Sequence, residues 1–249
     1  MANVHPEGIV RRPLMRQEWR CAGFLHWEYP LEVVERFIPE PLELHTYDGR
    51  AWVGLTPFTT TLALFGFLPL PGPRRFPETN VRTYVRAPDG SDGVWFLSLD
   101  VTNLVNVPLG RLGMPYFWAD MTVDRDGTTV HYGGRRRSRD QGRAPGYDVR
   151  LRYEQRRVER QTELDVFLTG RWHTYTKRGP YLGRFDIEHA PWPLHRAEPL
   201  DGGHEPILEA AGLPLPTELP VVHYSPGVDV SIAWPAAVVR PRSGHRRRR

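Results

Sequence analysis

FPETNVRTYVR, Phe76 to Arg86, decides how this chain is read. As a strand, its residues alternate between two faces. Glu78, Asn80, Arg82 and Tyr84 share one side, while Thr79, Val81, Thr83 and Val85 share the other. The second set is mostly β-branched and suits a packed sheet. The first carries an acid, an amide, a guanidinium and a phenol in a row. Two arrangements account for that face: the wet side of a half-buried sheet, or an inward face lining the cavity of a closed one. The pattern alone leaves both open.

Working outward, strand-like runs recur along the chain. EWRCAGFLHW reads as a strand before the stretch and AWVGLTPF follows a turn at Asp48-Gly49. After the stretch come GVWFLSLDVT, FWADMTV, TTVHYGG, YDVRLRYE, TELDVFL, RWHTYT, GRFDIEHA, VVHY and VDVSIAW. Turn dipeptides at Asp89-Gly90, Asp126-Gly127 and Gly133-Gly134 punctuate them. Only two helices are expected, one after Pro30 and one in HEPILEAAGL, His204 to Leu213. The loop GFLPLPGPRRF, from Gly66, is read as a plain connection or the rim of a pocket. Many short antiparallel strands favour a closed or nearly closed sheet, since closure removes exposed edges.

The basic balance is local. Arg240, Arg242 and Arg246 to Arg249 lie in the last stretch, and without these six the remaining 27 Lys and Arg face 29 Asp and Glu. Residues 240–249 are expected to be a disordered basic tail, able to touch nucleic acid only non-specifically. A tail that docks a partner is the competing reading. With one cysteine, Cys21, no internal disulfide can form, and Cys21 reads as a small buried hydrophobe. No apolar run approaches a membrane span and no leader is visible, so a cytoplasmic protein without membrane contact is expected. The domain reading is an N-terminal arm over 1–15 and a single β-rich domain over 16–239.

Four segments add specificity to the opening stretch: GLTPF at Gly54, GRLGMPYFWADM at Gly110, HAPWPL at His189 and HYSPGVDV near the end. Together with GVWFLSLD and FLTGRW, they resemble the YqjF-like family of uncharacterised proteins from about Trp19 to Val239. That family is distantly similar to the acetoacetate decarboxylase-like superfamily. The resemblance implies a mainly β fold, a curved antiparallel β-barrel or cone with few short helices, an interior pocket for a small molecule, and a homo-oligomer.

The same resemblance marks a departure. The decarboxylases carry Gly-x-Pro-Lys-Lys, which supplies a Schiff-base lysine; here the frame reads Gly113-Met114-Pro115-Tyr116-Phe117. An imine needs a primary amine, which Tyr and Phe lack. Lys177, the only lysine, lies in a turn-like TYTKRGPY and is expected to be wet. Glu78 stands where those enzymes place a pocket acid.

The candidate catalytic residues are therefore Glu78 as general acid or base, Arg82 as a guanidinium fork for an anion or carbonyl, and Tyr116 as a hydrogen-bond donor to an oxyanion. Asn80, Arg171, His189 and Trp192 are the candidate ligand-binding residues, Trp192 more as a wall than as a stacking platform. The competing reading pairs Glu78 with Arg82 as a closed, self-satisfying ion pair. Histidines scattered over strands, His26, His131 and His173 among them, read as structural. No His or Cys spacing suggests a metal, and no phosphate loop or βαβ unit suggests a cofactor. Two functions fit: an enzyme on an enolisable carbonyl or carboxylate compound, enolising, hydrating, dehydrating or cyclising it without an imine, or a non-catalytic carrier or sensor using the same pocket.

Overall fold

A computed structural model describes residue 8 and residues 10–65, 67–69, 74–102, 113–137 and 144–239. The basic tail and much of the loop after Phe65 lie outside the described residues. In chain order the elements are β1 (Met15–Tyr29), α1 (Leu31–Glu35), β2 (Glu43–Leu44), β3 (Ala51–Thr60), β4 (Ala63–Leu64) and β5 (Leu68–Pro69). Then follow β6 (Phe76–Arg86), β7 (Asp92–Val101), β8 (Tyr116–Asp126), β9 (Thr129–Arg136) and β10 (Gly146–Arg157). The last part holds α2 (Glu163–Thr169), β11 (His173–Arg178), β12 (Tyr181–His189), β13 (His195–Pro199), α3 (Glu205–Ala210), β14 (Val221–Ile232) and β15 (Ala236–Val239).

All the strands belong to one mainly antiparallel sheet, and its pairings close on themselves twice. One circuit runs β1–β3–β6–β7–β8–β9–β10–β13–β14 and back to β1. The other shares β14, β1, β3, β6 and β7 and returns through β11 and β12. The shared wall is buried on both faces, so its strands fill two interiors by simple alternation. Leu25, Val53, Leu55 and Val81 pack into the first, against Val130, Tyr132, Val149 and Leu151 from β9 and β10. Phe24 and Phe58 turn the other way, toward Trp192, Phe185 and Ile187, while Trp52 and Tyr84 meet Phe167 and Leu168 of α2.

The opening stretch is a strand from Phe76 to Arg86, as its alternation implies. Thr79 faces the first interior, with its hydroxyl 2.5 Å from that of Tyr147. The register slips by one residue opposite Val81 and Arg82, and the extra residue, Leu97, is taken up on β7. Alternation along β6 therefore continues unbroken, and Glu78, Asn80, Arg82 and Tyr84 all belong to the second interior.

Several expectations need correction. TELDVFL is not a strand but helix α2, started by a capping box in which Thr162 Oγ1 accepts from the Asp165 N–H and Asp165 accepts from the Thr162 N–H. Thr162 and Asp165 carry that start signal at the right spacing, and it outweighs the β-branched content. VVHY and VDVSIAW join into one strand, β14, with Ser225-Pro226-Gly227 inside it. Arg136 is buried at the end of β9 and forms a two-pronged ion pair with buried Asp100. Cys21 is not buried in a regular strand; it is half-buried with φ 51° at a register break in β1.

Candidate functional site

The second interior gathers the polar face of β6 and its neighbours. Glu78 lies opposite Phe58 on β3 and Val101 on β7. Tyr116 stands in register with Leu99, which is itself in register with Asn80, so Tyr116 is diagonal to Glu78 across β7. Tyr116 is brought there by a tight approach. Gly113 has φ +89°, and a Cβ on it would lie 2.3 Å from the Lys177 carbonyl oxygen, so no side chain fits. The Leu99 N–H then reaches the Pro115 carbonyl at 2.9 Å, which sets the register of Tyr116.

Glu78 and Arg82 do not pair. Four residues of strand separate their Cα atoms by roughly 13 Å, and among the described residues no cation or hydrogen-bond donor contacts the Glu78 carboxyl. It is half-buried, and burial pushes it up to about 8. Partial exposure and strong desolvation agree if the carboxyl lines an enclosed space rather than bulk water. Burial, reinforced by the Glu78 charge, holds the Tyr116 hydroxyl well above the usual phenol range.

Arg82 is half-buried too. Its Nη2 reaches the Leu168 carbonyl at 3.5 Å and its guanidinium lies 5.7 Å from the centre of the Phe24 ring. No acidic side chain among the described residues meets it. Asn80 is buried, with its Oδ1 unpartnered.

The other expected ligand-binding residues fall into two places. His189 and Trp192 sit together beside Trp19: the His189 ring lies 5.1 Å from Trp192 and 4.6 Å from Trp172, and Trp192 stacks on Trp19 at 5.9 Å. Trp192 is a buried wall rather than a platform. Burial pushes His189 down to about 4 against the hydrogen bond to the Ala190 carbonyl, and the charge of Arg82 adds to the shift. Trp172 also lines an outer cleft of about 500 Å³ with Arg11, His173, Arg184, Asp186 and Trp234.

Arg171 lies elsewhere. Its Nη1 pairs with Asp92 at 2.9 Å and meets His45 Nδ1 at 3.1 Å, and its guanidinium lies over Tyr84 at 4.6 Å and Phe167 at 4.3 Å. It is an anchor for α2 and β7, already matched by a carboxylate.

Sequence reasoning passed over His26. It is fully buried, close to Arg82, and neither ring nitrogen has a hydrogen-bond partner. Burial lowers its pKa well below the usual value, and Arg82 lowers it further. Lys177 lies near the end of β11 and is half-buried rather than in a wet turn; its Nζ donates to the Glu40 carbonyl at 3.1 Å. Among the described residues no group of His, Cys, Asp and Glu is arranged to hold a metal, and no helix is long and apolar enough to cross a membrane.

Solved structures share this architecture. MppR, an enduracididine biosynthesis enzyme solved with pyruvate, superposes with a TM-score of 0.63 at 14% identity, over 94% of this chain and 93% of its own. Acetoacetate decarboxylase from Legionella pneumophila gives 0.58 at 14% identity, over 95% and 90%. At that identity the likeness speaks for the fold alone. In sequence, the uncharacterized protein YqjF of Bacillus subtilis (strain 168) is 36% identical over 233 residues, which are 92% of this chain and 93% of YqjF. The DUF2071 family, described as an uncharacterized conserved protein, matches residues 16–229. With an acetoacetate decarboxylase-like fold and a family match over most of its length, the chain belongs to DUF2071.

Proposed function

We propose that this protein binds a small carbonyl compound in the second interior and moves a proton on it with Glu78, without forming an imine. The observation that carries the reading is the Glu78 carboxyl, pushed up to about 8 by burial and left without a counter-charge among the described residues. A buried, unpaired acid is a cost to folding that catalytic sites accept. At neutral pH it is largely protonated and can give its proton to a carbonyl oxygen; as a carboxylate it can take one from the adjacent carbon. Tyr116 keeps its proton and can donate a hydrogen bond to the developing enolate oxygen. Arg82 supplies a fixed positive charge farther along the strand. MppR has been solved with pyruvate and with a condensation product of pyruvate. This supports small oxo acids as the first compounds to try.

The test is solvent deuterium exchange at the carbon next to the carbonyl, followed by NMR over a panel of 2- and 3-oxo acids. Wild-type protein should exchange at least one of them, and Glu78→Gln should lower that rate by about 10²–10⁴-fold. Equal exchange by Glu78→Gln removes Glu78 from the chemistry. The absence of both lysines from the Gly113–Phe117 frame favours a second reading, a carrier or sensor. Saturable binding of an oxo acid with no exchange above the blank selects it.

A further inference from the structure

In the middle of the shared wall, His26, Gly54 and Arg82 stand in one cross-strand row. A Cβ on Gly54 would lie 2.8 and 2.9 Å from His26 ring atoms and 3.6 Å from Arg82 Cγ, so both side chains lean over the glycine. The next row holds Thr56 opposite Asn80. Across these two rows, His26 Nδ1 and Nε2, Arg82 Nε, Thr56 Oγ1 and Asn80 Oδ1 are buried without a hydrogen-bond partner. Each such atom is a cost to folding that a bound partner would remove. Native interiors tolerate few of them, and rarely in adjacent rows. Arg82 Nε, Thr56 Oγ1 and one His26 nitrogen can donate while Asn80 Oδ1 accepts, so three donors await an acceptor that a bound molecule would supply.

The charge balance says which molecule. Arg171 is matched by Asp92, and His223 by Asp165 at 3.0 Å. Arg82 has no acid within reach among the described residues. The guanidinium fork takes a planar carboxylate in two parallel bonds. We propose that Arg82, His26 and Thr56, around Gly54, seat the carboxylate of a small monoanionic ligand, and that His26 takes up a proton as the anion docks.

The proton uptake follows from what surrounds the ring. Arg82 and Tyr84 face His26 from β6, His223 from β14, Asp165 from α2, and Arg171 from just beyond that helix. Burial keeps the ring neutral, Arg82, His223 and Arg171 push the same way, and Asp165 opposes them. A carboxylate docked on Arg82 adds the opposite charge and favours the imidazolium. By linkage, affinity then rises as pH falls.

This inference deepens the proposed function by naming the ligand's charged end; it rests on the second interior being the ligand site, not on Glu78 being the acid. The test uses pyruvate and its neutral analogue pyruvamide, titrated by calorimetry at pH 6 and pH 8 in buffers of different ionisation enthalpy. Pyruvate should bind about 10-fold or more tighter than pyruvamide, since a charge-assisted bond contributes roughly 1.5–3 kcal/mol. It should bind severalfold tighter at pH 6, with net proton uptake. His26→Gln should flatten the pH dependence, and Arg82→Gln should remove the preference for pyruvate, with Arg82→Lys retaining part of it. Equal binding of the two compounds, or no saturable binding of pyruvate, overturns the seat. A pH slope that survives in His26→Gln overturns the role of His26. Glu78→Gln should still distinguish pyruvate from pyruvamide, so the seat and the catalytic acid can fail separately.

Discussion

Asp165 Oδ1 lies 3.0 Å from His223 Nε2, and both side chains are closed off from solvent. The same carboxylate receives the Thr162 N–H at 2.9 Å and both Nη1 and Nη2 of Arg196, at 3.0 and 2.9 Å. One acid thus starts α2 and ties it to β13 and β14. Asp165→Ala should destabilise the fold by about 3–5 kcal/mol, the range for removing one partner of a buried pair. Burial alone pushes this carboxyl up, but the hydrogen bonds from His223 and Thr162 hold it below the usual carboxylate range. A carboxylate depressed on folding stabilises the native state above about pH 4 and loses that contribution as pH falls toward its folded pKa. Urea melts from pH 7 to pH 3 should show wild type losing stability on the acid side and the variant losing less. A loss under 1 kcal/mol at pH 7 would contradict the anchoring role.

Glu78 has the opposite sign. Its carboxyl is raised to about 8 on folding, so the native state is penalised as pH climbs from the unfolded value, about 4.3, to about 8, and no further above that. Glu78→Gln removes the penalty. It should stabilise the protein by on the order of 5 kcal/mol at pH 8 and by little at pH 4. Denaturation midpoints of the two proteins over that range give the answer. A constant difference between them would mean that Glu78 has the same pKa folded as unfolded.

The first interior hides another pair. Arg136 Nε and Nη2 hold Asp100 at 2.8 to 3.1 Å, both side chains are buried, and the guanidinium lies 3.8 Å from the centre of the Phe117 ring. Burial pushes the Asp100 carboxyl up and Arg136 opposes that push. Arg136→Ala should cost about 3–5 kcal/mol by stranding the acid, whereas Asp100→Leu combined with Arg136→Met should come within about 2 kcal/mol of wild type. A double-mutant cycle by chemical denaturation measures both. Additive losses would show that the two residues are not coupled.

How much of this was legible in sequence varies from residue to residue. The alternation of Phe76 to Arg86 placed Glu78, Asn80 and Arg82 on one face because strand periodicity is local. Which interior that face would enter was not local: it depends on β1, β3 and β6 serving two circuits at once, a matter of long-range pairing. His26 looked like an ordinary strand histidine. Its meaning comes from Gly54 and Arg82, residues 28 and 56 positions away that only the register brings beside it. Asp165 was hidden by a misread element, although the spacing from Thr162 carried the helix start. Arg171 was read with His189 and Trp192 as ligand-binding, and the fold assigns it to Asp92 instead.

Lys177 offers the sharpest test of chemistry without an imine. It is the chain's only lysine. Its Nζ donates to the Glu40 carbonyl at 3.1 Å, and Tyr116 and Phe117 fill the frame that would otherwise hold catalytic lysines. An imine-forming lysine is activated by desolvation or by a neighbouring cation inside the site, whereas Lys177 stands near the end of β11 with its Nζ on the Glu40 carbonyl. Incubation with pyruvate and borohydride should leave the intact mass unchanged at protein concentrations where a Schiff-base enzyme is fully trapped. Lys177→Met should exchange deuterium into an oxo acid at the wild-type rate. A reduced adduct mapped to Lys177, together with loss of exchange in the variant, would return the protein to imine chemistry and leave Glu78 as an assisting acid.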